Sequence, residues 1–218
     1  MSSESTSERN EPQTTASHRK RRGDTADRIL EVATECFAKN GFEGTNLREI
    51  ADKVGIREPS IYRHYKNKED LYRQVLYRGL APVADALLAL TQRKFDPREL
   101  VDVPGQMLML HAENPHVASL VQQAVSMPAD RIENEVLEQW LDRLLQTGKE
   151  ALMKAGYESG DEIEISLRIL NLFNLVIGYF TNGSLLQRLC GMQPDDPEML
   201  KRQERVLRVT STAWILSA

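Results

Sequence analysis

Two short apolar-periodic segments, separated by a single glycine, do most to limit what this chain can fold into. The first places Leu47, Ile50, Ala51 and Val54 along one side of a helix that opens at Asn46 and ends at Gly55. An asparagine cap followed three residues later by Glu49 resembles a capping box. The second starts near Pro59, whose missing N–H costs nothing in a first turn, and runs from Glu58 to Tyr65. It is too short and too polar to be a core helix, because Ser60, Tyr62, Arg63 and His64 are all hydrogen-bonding or cationic. Gly55 allows a tight turn, and Ile56 can pack back on the first helix. This is the pattern of a helix-turn-helix. A second helix of that composition suits the major groove of DNA, where base edges offer donors and acceptors.

The helical period extends over the rest of the chain. Ile29, Ala33, Cys36 and Phe37 share one face of a helix from Thr25 that stops at Asn40-Gly41. After Lys66-Asn67-Lys68, a helix over 69–92 aligns Leu71, Val75, Leu76, Gly79 and Leu80. Pro82 is expected to kink it, since apolar spacing resumes at Val83, Leu87 and Leu88. Further helices are predicted at 98–114, 116–126, 129–155, 161–189 and 196–217, with proline and glycine punctuation between them. No strand-like alternation and no internal repeat appear. The expectation is an all-α fold of about nine helices. It begins with a disordered tail at 1–17, then a three-helix DNA-binding unit at 18–70, then a larger helical part at 71–218.

Charge follows the same division. The whole chain carries −4, yet residues 18–78 hold 14 Lys and Arg against 10 Asp and Glu, while residues 79–218 hold 13 against 19. A basic module joined to an acidic one is expected where only the first meets phosphate. The cluster His18-Arg19-Lys20-Arg21-Arg22 reads either as a solvated tail or as an arm that neutralises phosphates.

Other classes find little support. The first 23 residues are polar and lack the apolar run of a signal peptide. The apolar stretch from Leu167 to Leu189 is broken by Arg168, Asn171, Asn174, Asn182 and Gln187, which suits a buried helix better than a membrane span. Cys36 and Cys190 form no CxxC pair and read as buried free thiols of a cytoplasmic protein. No HExxH, GxGxxG, P-loop or GxSxG motif is present, and His111, Glu113 and His116 lack the spacing of a metal face. The reading is therefore a non-enzyme without cofactor or metal.

The order T-N-L-R-E-I-A-x-x-x-G-I-x-x-x-S-I-Y-R-H-Y-K-N-K-E-x-L, within Arg28 to Arg78, resembles the signature of the TetR family of bacterial regulators. The resemblance implies a homodimer on a palindromic double-stranded operator, usually repressing until a small molecule binds. It places base-reading roles on Arg48, Pro59, Ser60, Tyr62 and His64, with Glu58 and Arg63 beside them. Arg48 can instead pair with Glu49 or Asp52. Glu58 can accept from cytosine N4 or simply favour the N-terminus of its own helix. Lys66 and Lys68 bracket the start of the long helix, where Lys68 and the terminal amides should hold a phosphate. Thr45 and Asn46 are candidates for the same role, although capping explains Asn46 equally well. Tyr65 matches an inward-packing position. The alternative from another class is a helical protein-interaction module that no longer reads DNA.

Beyond the motif, the resemblance extends to helix count and layout. It implies an effector cavity within 71–218 and a four-helix dimer interface from the helices near 161–189 and 196–217. Candidate ligand-binding residues are Met107, His111, Trp140, Leu144, Phe173, Ile177 and Tyr179. His111, Trp140 and Tyr179 each bring a polar atom into an apolar setting, where it needs a partner. The implied ligand is a small, mostly apolar effector.

Overall fold

In the computed structural model, which describes residues 14–96, 98–127, 132–156 and 161–215, ten helices and no strands occur among the described residues. In chain order they are α1 (Thr14–Gly44), α2 (Leu47–Val54), α3 (Glu58–Ile61), α4 (Lys68–Thr91) and α5 (Arg98–Glu113). There follow α6 (Pro115–Val125), α7 (Ile132–Lys154), α8 (Glu162–Thr181), α9 (Gly183–Cys190) and α10 (Pro197–Ile215). Helix α1 starts at Thr14, four residues inside the expected tail; residues 1–13 of that tail lie outside the described residues.

The first three helices are ordered by the faces read from sequence. Ile29, Ala33, Cys36 and Phe37 of α1, the four apolar residues of α2, and Ile61 and Tyr65 are all buried together. Gly41 leaves the helical region at φ 71°, ψ 176°, so the chain swings away where a stop was expected. Gly55 takes the left-handed conformation at φ 77°, ψ 35°, and the Ile56 amide donates to the Ala51 carbonyl at 2.9 Å. A residue with a Cβ is strained at that φ, so the turn depends on the glycine. Two long-range bonds lock the unit. Arg28 Nη2 donates to the Val54 carbonyl at 2.6 Å, and Tyr65 Oη donates to the Ala26 carbonyl at 3.0 Å.

Helix α4 belongs to both halves of the chain. Its first turns pack Tyr72 edge-on against Phe37 and Phe42, with ring centroids 5.0 and 5.2 Å apart. It runs through Pro82 as a single helix and is fastened along its length to α7. Arg73 pairs with Glu135 at 2.9 Å, Trp140 Nε1 donates to the Leu80 carbonyl at 3.1 Å, and Lys154 Nζ donates to the Thr91 carbonyl at 2.7 Å. Helix α6 wedges between α1 and α4. Gln123 Nε2 reaches the Ala38 carbonyl at 2.7 Å, and Val117 packs so tightly on Gly79 that an added Cβ would sit 2.6 Å from it.

Two expectations are corrected here. The single helix predicted over 161–189 is two, broken at Asn182, whose side chain donates to the Gly178 carbonyl at 2.7 Å. The break lets the 193–194 segment cross: Tyr179 Oη donates to the Pro194 carbonyl at 2.8 Å, and a Cβ on Gly183 would meet Pro194 at 2.8 Å. Helix α8 is also far less buried than expected. It is long and apolar enough to cross a membrane by length and composition, and only 28% of that window is buried. Ile165, Phe173, Val176, Ile177 and Tyr179 face inward, while Ile163, Leu167 and Leu170 are exposed. Helix α10 does the same, with Leu207 buried and Val206 and Val209 exposed.

Candidate DNA-binding face and effector cavity

The structure separates the motif residues into an outer and an inner set. Asn46, Arg48, Pro59, Tyr62, Arg63 and Lys66 are exposed, and Glu58, Ser60, His64 and Lys68 are half-buried. Tyr62 leaves half its surface, 51%, open to solvent, which is unusual for a large aromatic ring in a packed helical unit. Arg48 projects from α2 with no carboxylate partner among the described residues; Glu49 pairs with Lys53 at 2.9 Å instead. That arrangement leaves the guanidinium fork of Arg48 free for another partner. Asn46 is a helix cap, its side chain accepting the Arg48 amide at 2.8 Å. The same interaction recurs at Asn67, which accepts from the Asp70 amide at 2.8 Å and starts α4. Arg57, not among the expected contacts, is also exposed at the entry to α3.

Thr45 has a different place from the one expected. It is buried, and its hydroxyl lies 2.7 Å from the Gly41 carbonyl and 3.1 Å from that of Cys36. It fastens the α1–α2 corner and presents no hydroxyl to a phosphate. Lys68 is partly committed as well: its ammonium lies 4.5 Å from the Phe42 ring centroid and 3.4 Å from the Glu43 carbonyl. Beneath this face, Cys36 is buried 3.3 Å from Lys53 Nζ, and burial pushes its thiol pKa up. The second cysteine departs from expectation, since Cys190 is exposed at the end of α9.

In the larger part, a cavity of about 80 Å³ opens between α4, α5, α7, α8 and the end of α10. Met107, Leu144 and Phe173 line it, as expected. His111, Trp140, Ile177 and Tyr179 do not. Trp140 and Tyr179 spend their polar atoms on the Leu80 and Pro194 carbonyls, so their partners are backbone groups rather than a ligand. His111 is buried against Phe180, and burial lowers its pKa to about 4. Ile177 lies in the main core. Sequence reasoning missed Arg168 and Trp214 as cavity residues. The charge of Arg168 inside the most apolar helix was the available signal.

Comparison with known proteins bears on both regions. The family described as bacterial regulatory proteins, tetR family, matches residues 29–75, the stretch from the middle of α1 into α4 that holds the exposed face. Residues 29–75 of the chain thus resemble the DNA-binding part of the tetR family. The IcaR negative regulator of the biofilm operon icaADBC from Staphylococcus epidermidis is 42% identical over 48 residues, which is 22% of this chain and 26% of that protein. The matched stretch thus spans about a quarter of that relative's length. The transcriptional repressor KstR2 from Rhodococcus jostii is 27% identical over 158 residues, 65% of this chain and 72% of that one. Among solved structures, AibR in complex with isovaleryl coenzyme A and operator DNA has a TM-score of 0.64 at 16% identity, covering 84% of this chain and 96% of AibR. That likeness shows a shared fold over both halves, while the sequence likeness to IcaR is confined to the helix-turn-helix.

Proposed function

We propose that this chain is a homodimeric, cytoplasmic transcriptional repressor of the TetR family that leaves a palindromic operator when a small apolar effector binds. The observation that carries the reading is the exposed face made by α2, α3 and the turn that follows α3, where Arg48, Tyr62, Arg63 and Lys66 stand outside a buried core. Arg48 offers a planar fork suited to guanine O6 and N7, and Lys66 a point charge suited to phosphate. Residues 18–70 form the reading unit and residues 71–218 the effector and dimerisation unit, with α4 spanning the boundary.

The stripes on α8 (Ile163, Leu167, Leu170) and α10 (Val206, Val209) are apolar and exposed, and a second copy covers them in this reading. Signal transfer follows the contacts already described. An effector that spreads the cavity walls displaces Leu87 on α4, and α4 carries the displacement to α1 through Tyr72 and through Arg78, whose guanidinium lies 3.4 Å from Asp27. The two recognition helices of a dimer must match major grooves about 34–36 Å apart, so a small shift at α4 is enough to lose register.

Selection of duplexes from a random pool tests this directly. Recovery of a two-fold symmetric site, with half-site centres about one helical turn apart, is the expected outcome. Recovery of no preferred sequence overturns it and favours a helical protein-interaction module.

A further inference from the structure

Among the residues that line the cavity, Arg168 is the one charged side chain. It projects from α8, and its partners hold it at the cavity rim. Nε donates to Glu164 at 3.1 Å, Nη2 also reaches Glu164, and Nη1 donates to the Trp214 carbonyl at the end of α10. Trp214 lines the same cavity. These two of its partners are exchangeable. Glu164 is half exposed, so its attraction is screened by solvent, and a helix-end carbonyl is a neutral acceptor. A guanidinium bonds an anionic oxygen pair more strongly and in a matching planar geometry.

We propose that the effector is an apolar chain ending in a single anionic head group, a carboxylate or a phosphate monoester, and that Arg168 binds that group by releasing the Trp214 carbonyl. This deepens the effector reading above and rests on it. The exchange frees the end of α10 from α8, the two helices whose exposed faces form the proposed dimer interface. Ligand and interface are thereby linked through one side chain.

The space for the tail is adjacent. The cavity shares Leu144, Ile169 and Phe173 with an outer groove of about 330 Å³ between α7 and α8, and Ile163, Leu167 and Leu170 of the exposed α8 stripe also line that groove, so in the proposed dimer the second copy closes over the tail. Ile169, one of the three shared residues, packs so closely on Gly148 that a Cβ there would lie 2.9 Å from its Cδ1. Displacement of the shared side chains joins the two volumes in this proposal, and together they reach the size typical of small-molecule sites, roughly 300 Å³ or more.

Calorimetric titration of the full-length protein with octanoate, octyl phosphate, octanol and octylamine tests the proposal. At least one of the two anions should bind about 10- to 100-fold tighter than octanol, the range of a charge-assisted hydrogen bond, and octylamine should bind most weakly. Arg168→Gln should lose that preference and keep octanol affinity, whereas Arg168→Lys should retain part of it. The comparison within the wild-type protein needs no variant, so a misfolded variant does not decide the matter. Equal binding of octanol and both anions overturns the anionic head group and leaves the apolar cavity standing. Binding of none of the four overturns both.

Discussion

Val209→Glu is expected to convert the protein into monomers in sedimentation, with helical content intact by circular dichroism. Val209 is 66% exposed on α10, beside Val206 at 51%, and neither contributes to the inner core. A carboxylate at such a position costs an isolated chain almost nothing. At the centre of a two-fold interface it is buried twice, and an uncompensated buried charge costs about 3–5 kcal/mol each time. That is enough to weaken association by several orders of magnitude. The same substitution on α8, Leu167→Glu, should behave alike, because Leu167 is 52% exposed on the corresponding open face. A folded, stable dimer after both changes would place the interface on another surface.

The second large effect is a loss of stability in mild acid that originates at His111. Burial alone lowers its pKa from 6.5 to about 4. Above pH 6.5 the imidazole is neutral in both folded and unfolded chains and contributes nothing to pH dependence. As the pH falls below 6.5, the unfolded chain takes up a proton that the folded chain refuses until about pH 4. Stability therefore declines by about 1.4 kcal/mol per unit across that window, roughly 3 kcal/mol in all. Urea titrations of wild type and His111→Leu at pH 7 and pH 5 should show the wild type losing about 2 kcal/mol more than the variant. An equal loss in the two proteins would assign the acid sensitivity elsewhere. For the proposed effector domain this matters, since His111 sits on α5 beside Phe180 of α8, between two helices that frame the cavity.

Much of this architecture is legible in the sequence because it rests on local signals. The apolar period of Ile29, Ala33, Cys36 and Phe37, the left-handed Gly55, and the proline-asparagine punctuation each act within a few residues. They place helices, turns and the exposed motif face. What escaped depends on distant partners. Trp140 and Tyr179 look like pocket residues until their acceptors, the Leu80 and Pro194 carbonyls, are known, and no spacing rule reveals them. Thr45 resembles an exposed phosphate contact because its neighbours are exposed, yet the turn at Gly41 folds its hydroxyl inward. The break at Asn182 arises from a segment that crosses eleven residues later. Arg168 was visible only as an interruption in an apolar helix, and its cavity is made by four other elements.

Whether the face made by α2, α3 and the turn after α3 reads DNA sequence is decided by titration of one operator duplex and one scrambled duplex across salt concentrations. Lys66 rather than Lys68 is the informative phosphate probe, because Lys68 also packs on Phe42 and its loss would mix binding with folding. Arg48→Ala should cost about 1–3 kcal/mol on the operator, change scrambled binding little, and relax the sequence preference at one position. Lys66→Ala should weaken both duplexes alike and flatten the salt slope by about one unit. Equal losses on both duplexes from both substitutions, or no loss from either, would contradict the account.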